Sequence, residues 1–297
     1  MADTNWAFAQ YERIRARLPD VPAKGTAKRV ANLGALVDEF DVFLLDAFGV
    51  LNVGNTPIKG APARVAALQA AGKKVMVLTN GASFPASVSL AKYRRFGFDF
   101  TAENVISSRD ILATHLAGLP ALRWAAMAPD GAQLETMGIS ATLLTESPAD
   151  FAQAEGFLLV GSGSWTPRQQ HMLQDTLRTA PRPVLVGNPD LVAPRETDLS
   201  REPGWFAHEL TRSTGIKPQF FGKPFNGIFA EARRRFGPVP PHRVAMVGDT
   251  LHTDILGGAA AGFRTVLTEN HGLFAGKNVA DYIEKSGIYP DFIAPTP

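Results

Sequence analysis

The hexapeptide DVFLLD, residues 41–46, reads as a buried strand cut short: apolar, strand-favouring residues end abruptly at Asp46, and the glycine-bearing loop AFGVLNVGNTP (47–57) follows. Downstream, the alanine-rich segment APARVAALQAAG (61–72) predicts a helix. KVMVLT (74–79) predicts a second buried strand, broken at Asn80-Gly81, and a further helix is expected over 86–96 before a short strand at NVISS (104–108). Strand, helix, strand, helix is the order that builds a parallel sheet with crossover helices. Upstream, NWAFAQYERIRARL (5–18) carries Trp6, Phe8, Ala9, Ile14 and Leu18 at mixed helical spacing and predicts an N-terminal brace helix.

Beyond residue 111 the alternation continues, but its glycines and prolines become irregular (LRWAAMAPDG, GFLLVGSGSW, RPVLVGNPD), which predicts a second α/β unit. From Gln219 the first pattern returns: QFFGKP, a helix over 226–236, a buried strand RVAMVG (243–248), the loop DTLHTD, an Ala/Gly-rich helix and a last strand RTVLT (264–268). The segment after TENHG reads as a polar tail ending in prolines. A discontinuous first domain, 1–111 and 217–297, interrupted by a second, 112–216, accounts for this better than two domains in series. There is no internal repeat.

The chain's 297 residues suggest two domains of about 150 residues, or one large domain with an insertion. A composition 45% hydrophobic and 20% charged excludes a wholly disordered or fibrous chain. With 30 basic against 28 acidic side chains the net charge is only +2, so no general field favours nucleic acid or anionic lipid, and any anion site must be local. The absence of cysteine excludes disulfides, thiolate nucleophiles, iron–sulfur ligation and cysteine-type zinc sites. Acids at Asp3, Glu12 and Asp20 interrupt any leader-like apolar run, and no stretch of 18 apolar residues follows. A cytoplasmic protein is expected, with no nucleic-acid or membrane partner.

In open parallel sheets ligands gather at the carboxyl ends of the strands. Those ends carry Asp46, then Thr79-Asn80-Gly81, then Lys223, then Asp249 and Asp254. Carboxylates sharing one crevice repel each other unless a cation lies between them, and hard oxygen donors suit Mg2+. A lysine, a threonine hydroxyl and free backbone N–H groups beside that cation would receive a phosphoryl group, with an aspartate as nucleophile. G-x-x-x-x-G-K-[ST] is absent, GSGSW (161–165) has neither dinucleotide nor nucleophile-elbow spacing, and the six histidines are dispersed.

LLDAFGVL, VLTNGAS, FGKP and VGDTLHTDILGGAAAG stand in the order of the four motifs of the haloacid dehalogenase superfamily. The chain resembles its subclass IIA phosphatases, the group that includes p-nitrophenyl phosphatase-like and sugar- or nucleotide-phosphate hydrolases. GAPARVAALQAAGKKV and the NPD of VLVGNPDLVAP match that subclass too; the likeness covers roughly residues 40–272, and the fourth motif is its most specific part.

The resemblance implies a Rossmann-like parallel-sheet core with an inserted α/β cap of the C2 type. It implies that Asp46 attacks phosphorus to form an aspartyl-phosphate, that Thr79 and the backbone at Asn80 and Gly81 hold phosphoryl oxygens, and that Lys223 neutralises charge on both partners. Asp249 would join Asp46 and the carbonyl of Phe48 on Mg2+, with Asp254 ordering metal-bound water or Lys223. The cap would choose a small phosphorylated metabolite, aided by Asn188 and Asp190 or with these two only forming an Asn-Pro-Asp turn; a homodimer through the cap is also implied.

One position departs from the family. The residue two after the nucleophile is ordinarily a second aspartate, which protonates the leaving oxygen; here it is Phe48, which can do no such thing. Loss of that acid leaves two expectations: a phosphatase limited to good leaving groups, or a weakened relative that binds a phosphorylated ligand or partner without efficient turnover. His252, between the two late aspartates, is the nearest substitute donor, although a lone loop histidine is more often exposed and idle. FPASVSLAKYRRFGF, with Arg94 and Arg95, reads as an amphipathic helix with a basic solvent face.

Overall fold

The computed structural model describes residues 3–21, 25–195 and 198–297. Seven strands form the first sheet: β1 (Lys28–Arg29), β2 (Val42–Leu45), β3 (Lys74–Thr79), β4 (Val105–Ser107), then, after a long excursion, β10 (Val244–Gly248), β11 (Arg264–Thr268) and β12 (Phe292–Ala294). Their order is β1-β12-β11-β10-β2-β3-β4 and every pairing is parallel, with Val42 opposite Val244 on one side and Lys74 on the other. The excursion builds a second parallel sheet from β5 (Trp124–Met127), β6 (Ala141–Leu143), β7 (Gly156–Leu159), β8 (Val184–Val186) and β9 (Gln219–Phe220), in the order β9-β8-β7-β5-β6.

Alternation along each strand divides the core into layers. Phe43, Leu45, Val75, Val77, Ala245 and Val247 pack on one face of the first sheet, while Val42, Leu44, Met76, Leu78, Val244 and Met246 pack on the other. Helices cover both faces, which is why the strands read as unbroken apolar runs. The second sheet repeats the scheme: Phe157 and Leu159 face one layer, Leu158 and Val160 the opposite one.

The helices are α1 (Thr4–Arg13), α2 (Ala61–Ala70), α3 (Ala86–Arg95), α4 (Ser108–Leu116), α5 (Pro148–Gln153), α6 (Pro167–Thr179), α7 (Pro203–Thr214), α8 (Asn226–Phe236), α9 (Leu256–Ala260) and α10 (Val279–Ser286). The brace helix expected over 5–18 starts at Thr4, capped by Asp3, whose side chain accepts from the Trp6 N–H at 2.8 Å. It stops at Arg13 and passes into a 3-10 turn, Arg15–Arg17.

Two expectations are corrected. The segment after RTVLT is not a plain tail: Val279, Tyr282 and Ile283 bury one side of α10, and Phe292–Ala294 extends the first sheet as β12. Its polar residues hide a helix whose apolar face is only three residues wide. Gln219–Phe220, read as part of the returning first pattern, pairs with β8 in the second sheet. Two residues carry no hydrophobic period, so their sheet cannot be read locally. Among the described residues no helix is long and apolar enough to cross a membrane.

Candidate active site

Asp46 is the first residue beyond β2, and its backbone N–H donates to the Val247 carbonyl at 2.9 Å, so the β2–β10 pair fixes where the carboxylate emerges. Lys223 comes from the loop after β9. Its ammonium donates to Asp46 Oδ1 at 2.5 Å and lies 2.7 Å from Asp254 Oδ1, with the side chain 2% exposed. Asn80, just past β3, holds that loop in place. Its Oδ1 accepts from the Lys223 N–H (2.7 Å), while Nδ2 donates to the Lys223 carbonyl (2.9 Å) and to Asp190 Oδ1 (2.8 Å). A primary amide alone among short side chains offers one acceptor and two donors for this task.

Asp249 follows β10 and Asp254 lies in a π-helical turn, Leu251–Ile255, that runs into α9. Asp249 Oδ1 accepts from the Thr250 hydroxyl (3.0 Å) and Oδ2 from the Leu273 N–H (2.7 Å); Asp254 Oδ2 accepts from the Thr250 N–H (3.1 Å). Gly49, at φ +77°, passes so close that an added Cβ would stand 2.6 Å from the Asp249 side chain. Glycine there answers both a left-handed backbone and a close approach.

Oxygens of Asp46, Asp249 and Asp254 lie within 4.8 Å of one another. Burial, reinforced by Asp254, pushes Asp46 up to about 6 although Lys223 pulls it down. Burial and then repulsion from Asp254 and Asp46 push Asp249 up to about 8, and among the described residues no cation pairs with it. For Lys223 burial works against its charge, but Asp254, Asp46 and Asp190 outweigh it and raise its pKa. Burial raises Asp190 as well. Three hard carboxylates, with the lysine bridging only Asp46 and Asp254, fit a divalent cation that Asp46 and Asp249 could hold.

These groups form the floor of a cavity of about 760 Å³ between the two sheets. Its roof comes from Pro129, Ser162, Asn188 and Asp190, just past the ends of β5, β7 and β8. The carboxyl ends of both sheets therefore face each other across a volume typical of small-molecule sites. Asp46, Phe48, Thr79, Asn80, Gly81, Asn188, Lys223 and Asp249 line it; Asp254 sits behind, holding Lys223. Asn188 accepts from the Asp190 N–H (3.0 Å) and donates to Glu202 (3.2 Å), so the Asn-Pro-Asp segment forms a turn and lines the cavity at once.

The Gly81 N–H donates to Thr79 Oγ1 at 3.1 Å, which ties the loop after β3 to the strand's last side chain. Two sequence readings change here. His252 is buried rather than exposed: it stacks on Tyr11 with ring centroids 5.0 Å apart, lies 2.5 Å from Glu12 Oε1 and does not line the cavity. It ties α1 to the π-turn and is no proton donor to the crevice. Helix α3 turns Lys92 and Arg95 toward the cavity rather than into solvent alone. Lys92 Nζ stands 4.9 Å from the Phe48 ring centre and Arg195 5.9 Å from it. Burial and then Arg195 push Lys92 down to about 8, against the pull of Asp46. Lys92 and Arg195 have no signal in the sequence, because only the second sheet's folding over α3 gives them a common ligand space.

The haloacid dehalogenase-like hydrolase family matches residues 43–140, and the related HAD-hydrolase-like family matches 220–296. The human glycerol-3-phosphate phosphatase is 30% identical over 287 residues, covering 87% of this chain and 89% of its own. A possible sugar phosphatase from Cytophaga hutchinsonii superposes with TM-score 0.78 at 24% identity, covering 91% of this chain and 98% of that one. The glycerol phosphate phosphatase of Mycobacterium tuberculosis, in complex with magnesium, has TM-score 0.68 and 25% identity, covering 87% of this chain and 75% of that one. The chain belongs to the haloacid dehalogenase-like hydrolases. Within them it is of subclass IIA, an α/β enzyme of the phosphoric monoester hydrolase type.

Proposed function

We propose that this chain hydrolyses a small phosphomonoester, a sugar, nucleotide or aryl phosphate, through an aspartyl-phosphate on Asp46 and with Mg2+ bound by Asp46, Asp249 and the Phe48 carbonyl. The observation that carries the reading is Lys223, buried between Asp46 Oδ1 and Asp254 Oδ1 beside a third carboxylate. When bound, the cation supplies positive charge against which the phosphate oxygens and Asp46 can approach each other. Asp46 forms a bond to phosphorus while the bond to the leaving oxygen breaks and that oxygen keeps the electron pair. Water then cleaves the acyl phosphate, freeing phosphate and Asp46. Lys223 keeps Asp46 ionised and aimed; Asn80 keeps Lys223 aimed. Thr79 and the backbone at Asn80 and Gly81 are the proposed phosphoryl contacts, with Asn188 on the substrate side, and the inserted unit, about 112–216, serves as the cap. Phe48 offers no proton, so leaving groups that depart as stable anions should turn over best.

The test is a panel of aryl, sugar and nucleotide phosphates assayed with Mg2+ and with chelator. Turnover should require the metal, and Asp46→Asn should lower kcat at least about 10³-fold; unchanged turnover in that variant would overturn the nucleophile. Phe48 also favours a second reading, a weakened relative that binds a phosphorylated ligand without efficient turnover. Saturable calorimetric binding with no product across the panel would support it, and vigorous hydrolysis of an alkyl phosphate would exclude it.

A further inference from the structure

The cavity carries a second field opposite in sign to the one at its floor. Lys92 and Arg95 from α3, Arg195 from the hairpin Val192–Pro194/Leu199–Arg201, and Arg201 at that hairpin's end all line it. Arg195 donates to Glu202 Oε1 at 2.9 Å and to Ser200 Oγ at 2.8 Å, which pins its guanidinium beside the cavity and partly balances its charge. Lys92, Arg95 and Arg201 pair with no carboxylate among the described residues. Arg201 instead lies over Trp205, 4.5 Å from its ring centre, and Lys92 over Phe48. A solvated basic face would spread such charges into water. Here α3 and the hairpin bring Lys92 and Arg195 together over one phenyl ring, inside the volume that also holds Asp46.

Four basic side chains converging on a cavity with only Arg195 paired to a carboxylate, Glu202, are the mirror image of the carboxylates on the floor: the floor fits a cation, and this wall fits an anion. We propose that the substrate's leaving group carries a second anionic group, a carboxylate or a second phosphate, held by Lys92 and Arg195 with Arg95 and Arg201 at the mouth. The body of the leaving group packs on the Phe48 ring between the two charged ends. The volume of about 760 Å³ accommodates a sugar-sized ligand spanning both. The wall then separates phosphate esters whose leaving group carries an anion from those whose leaving group is neutral, a selection that the Asp46 crevice alone cannot make.

The proposal rests on the phosphatase reading of the Asp46 crevice, so its test separates binding from turnover. Dissociation constants are measured by calorimetry for glucose 6-phosphate, 6-phosphogluconate and glucose 1,6-bisphosphate, which differ in having a neutral, a carboxylate or a phosphate tail. At least one anionic tail should bind about tenfold or more tightly than the neutral one, and which one does so identifies the group. Lys92→Met and Arg195→Gln should each shrink that ratio severalfold, and Lys92→Arg should preserve it. Equal affinities for all three, or a ratio that neither removal shifts, overturn the anionic wall. Hydrolysis is followed in parallel: an intact affinity ratio with no Asp46-dependent product would instead overturn the phosphatase reading.

Discussion

Phe48 lines the cavity two residues beyond Asp46, and its ring carries Lys92 at 4.9 Å and Arg195 at 5.9 Å. Restoring a carboxylate there sets two effects against each other. In its protonated form the introduced carboxyl could donate to the leaving oxygen, an assistance worth about 10²–10⁴-fold at best. The same group would pair with Lys92 and be held in its ionised form, which blunts donation. Phe48→Asp should therefore raise kcat/KM for glycerol 3-phosphate about tenfold relative to p-nitrophenyl phosphate, below that range. Steady-state rates on the two esters check it, and an equal or negative change on both counts against this account of position 48. The missing acid is legible in the sequence because its offset from Asp46 is fixed by the chain. Lys92 is not, because along α3 it is one of several basic residues that suit a solvated face equally well.

Among the connecting elements, the Asn80 side chain joins the loop after β3 to the loop after β9 across 143 residues of chain. Asn80→Ala removes all three of its hydrogen bonds and leaves the Lys223 backbone and the buried Asp190 without those partners. A cost of about 2–4 kcal/mol is expected. Chemical denaturation should register it as a lower midpoint, and kcat/KM should fall at least about tenfold because Lys223 is no longer aimed at Asp46. A variant of wild-type midpoint and wild-type rate would show that the loop is held by other means. The strands bearing Asp46, Thr79 and Asp249 can be read directly, since buried parallel strands are apolar runs that stop at polar breaks. The two-residue β9 and the polar-looking α10 cannot, because each takes its place from pairing or packing with elements distant in the chain. The burial of His252 escapes a local reading for the same reason: α1, far away in sequence, covers it.

At the scale of the molecule, a net charge of +2 conceals two fields of opposite sign facing one cavity, and the negative one has a thermodynamic consequence. Asp46 and Asp249 are raised to about 6 and about 8 by burial and by repulsion from Asp254, above the value of about 4 that a carboxyl has in an unfolded chain. Each therefore binds its proton more tightly when folded. In the metal-free protein their contribution to stability is full below pH of about 4 and is lost as pH rises through about 6 and then about 8. Mg2+ competes with those protons for the same oxygens. It should thus bind weakly where Asp249 is protonated and stabilise most where it is not. Scanning calorimetry with excess Mg2+ against chelator should give a Tm increment of about 5 °C or more at pH of about 8, the size expected of a ligand present at roughly a hundredfold its Kd. At pH of about 5 the increment should be less than about half as large, and Asp249→Asn should remove most of the difference between the two. Equal increments at both pH values would mean that the cation is held somewhere other than among these carboxylates.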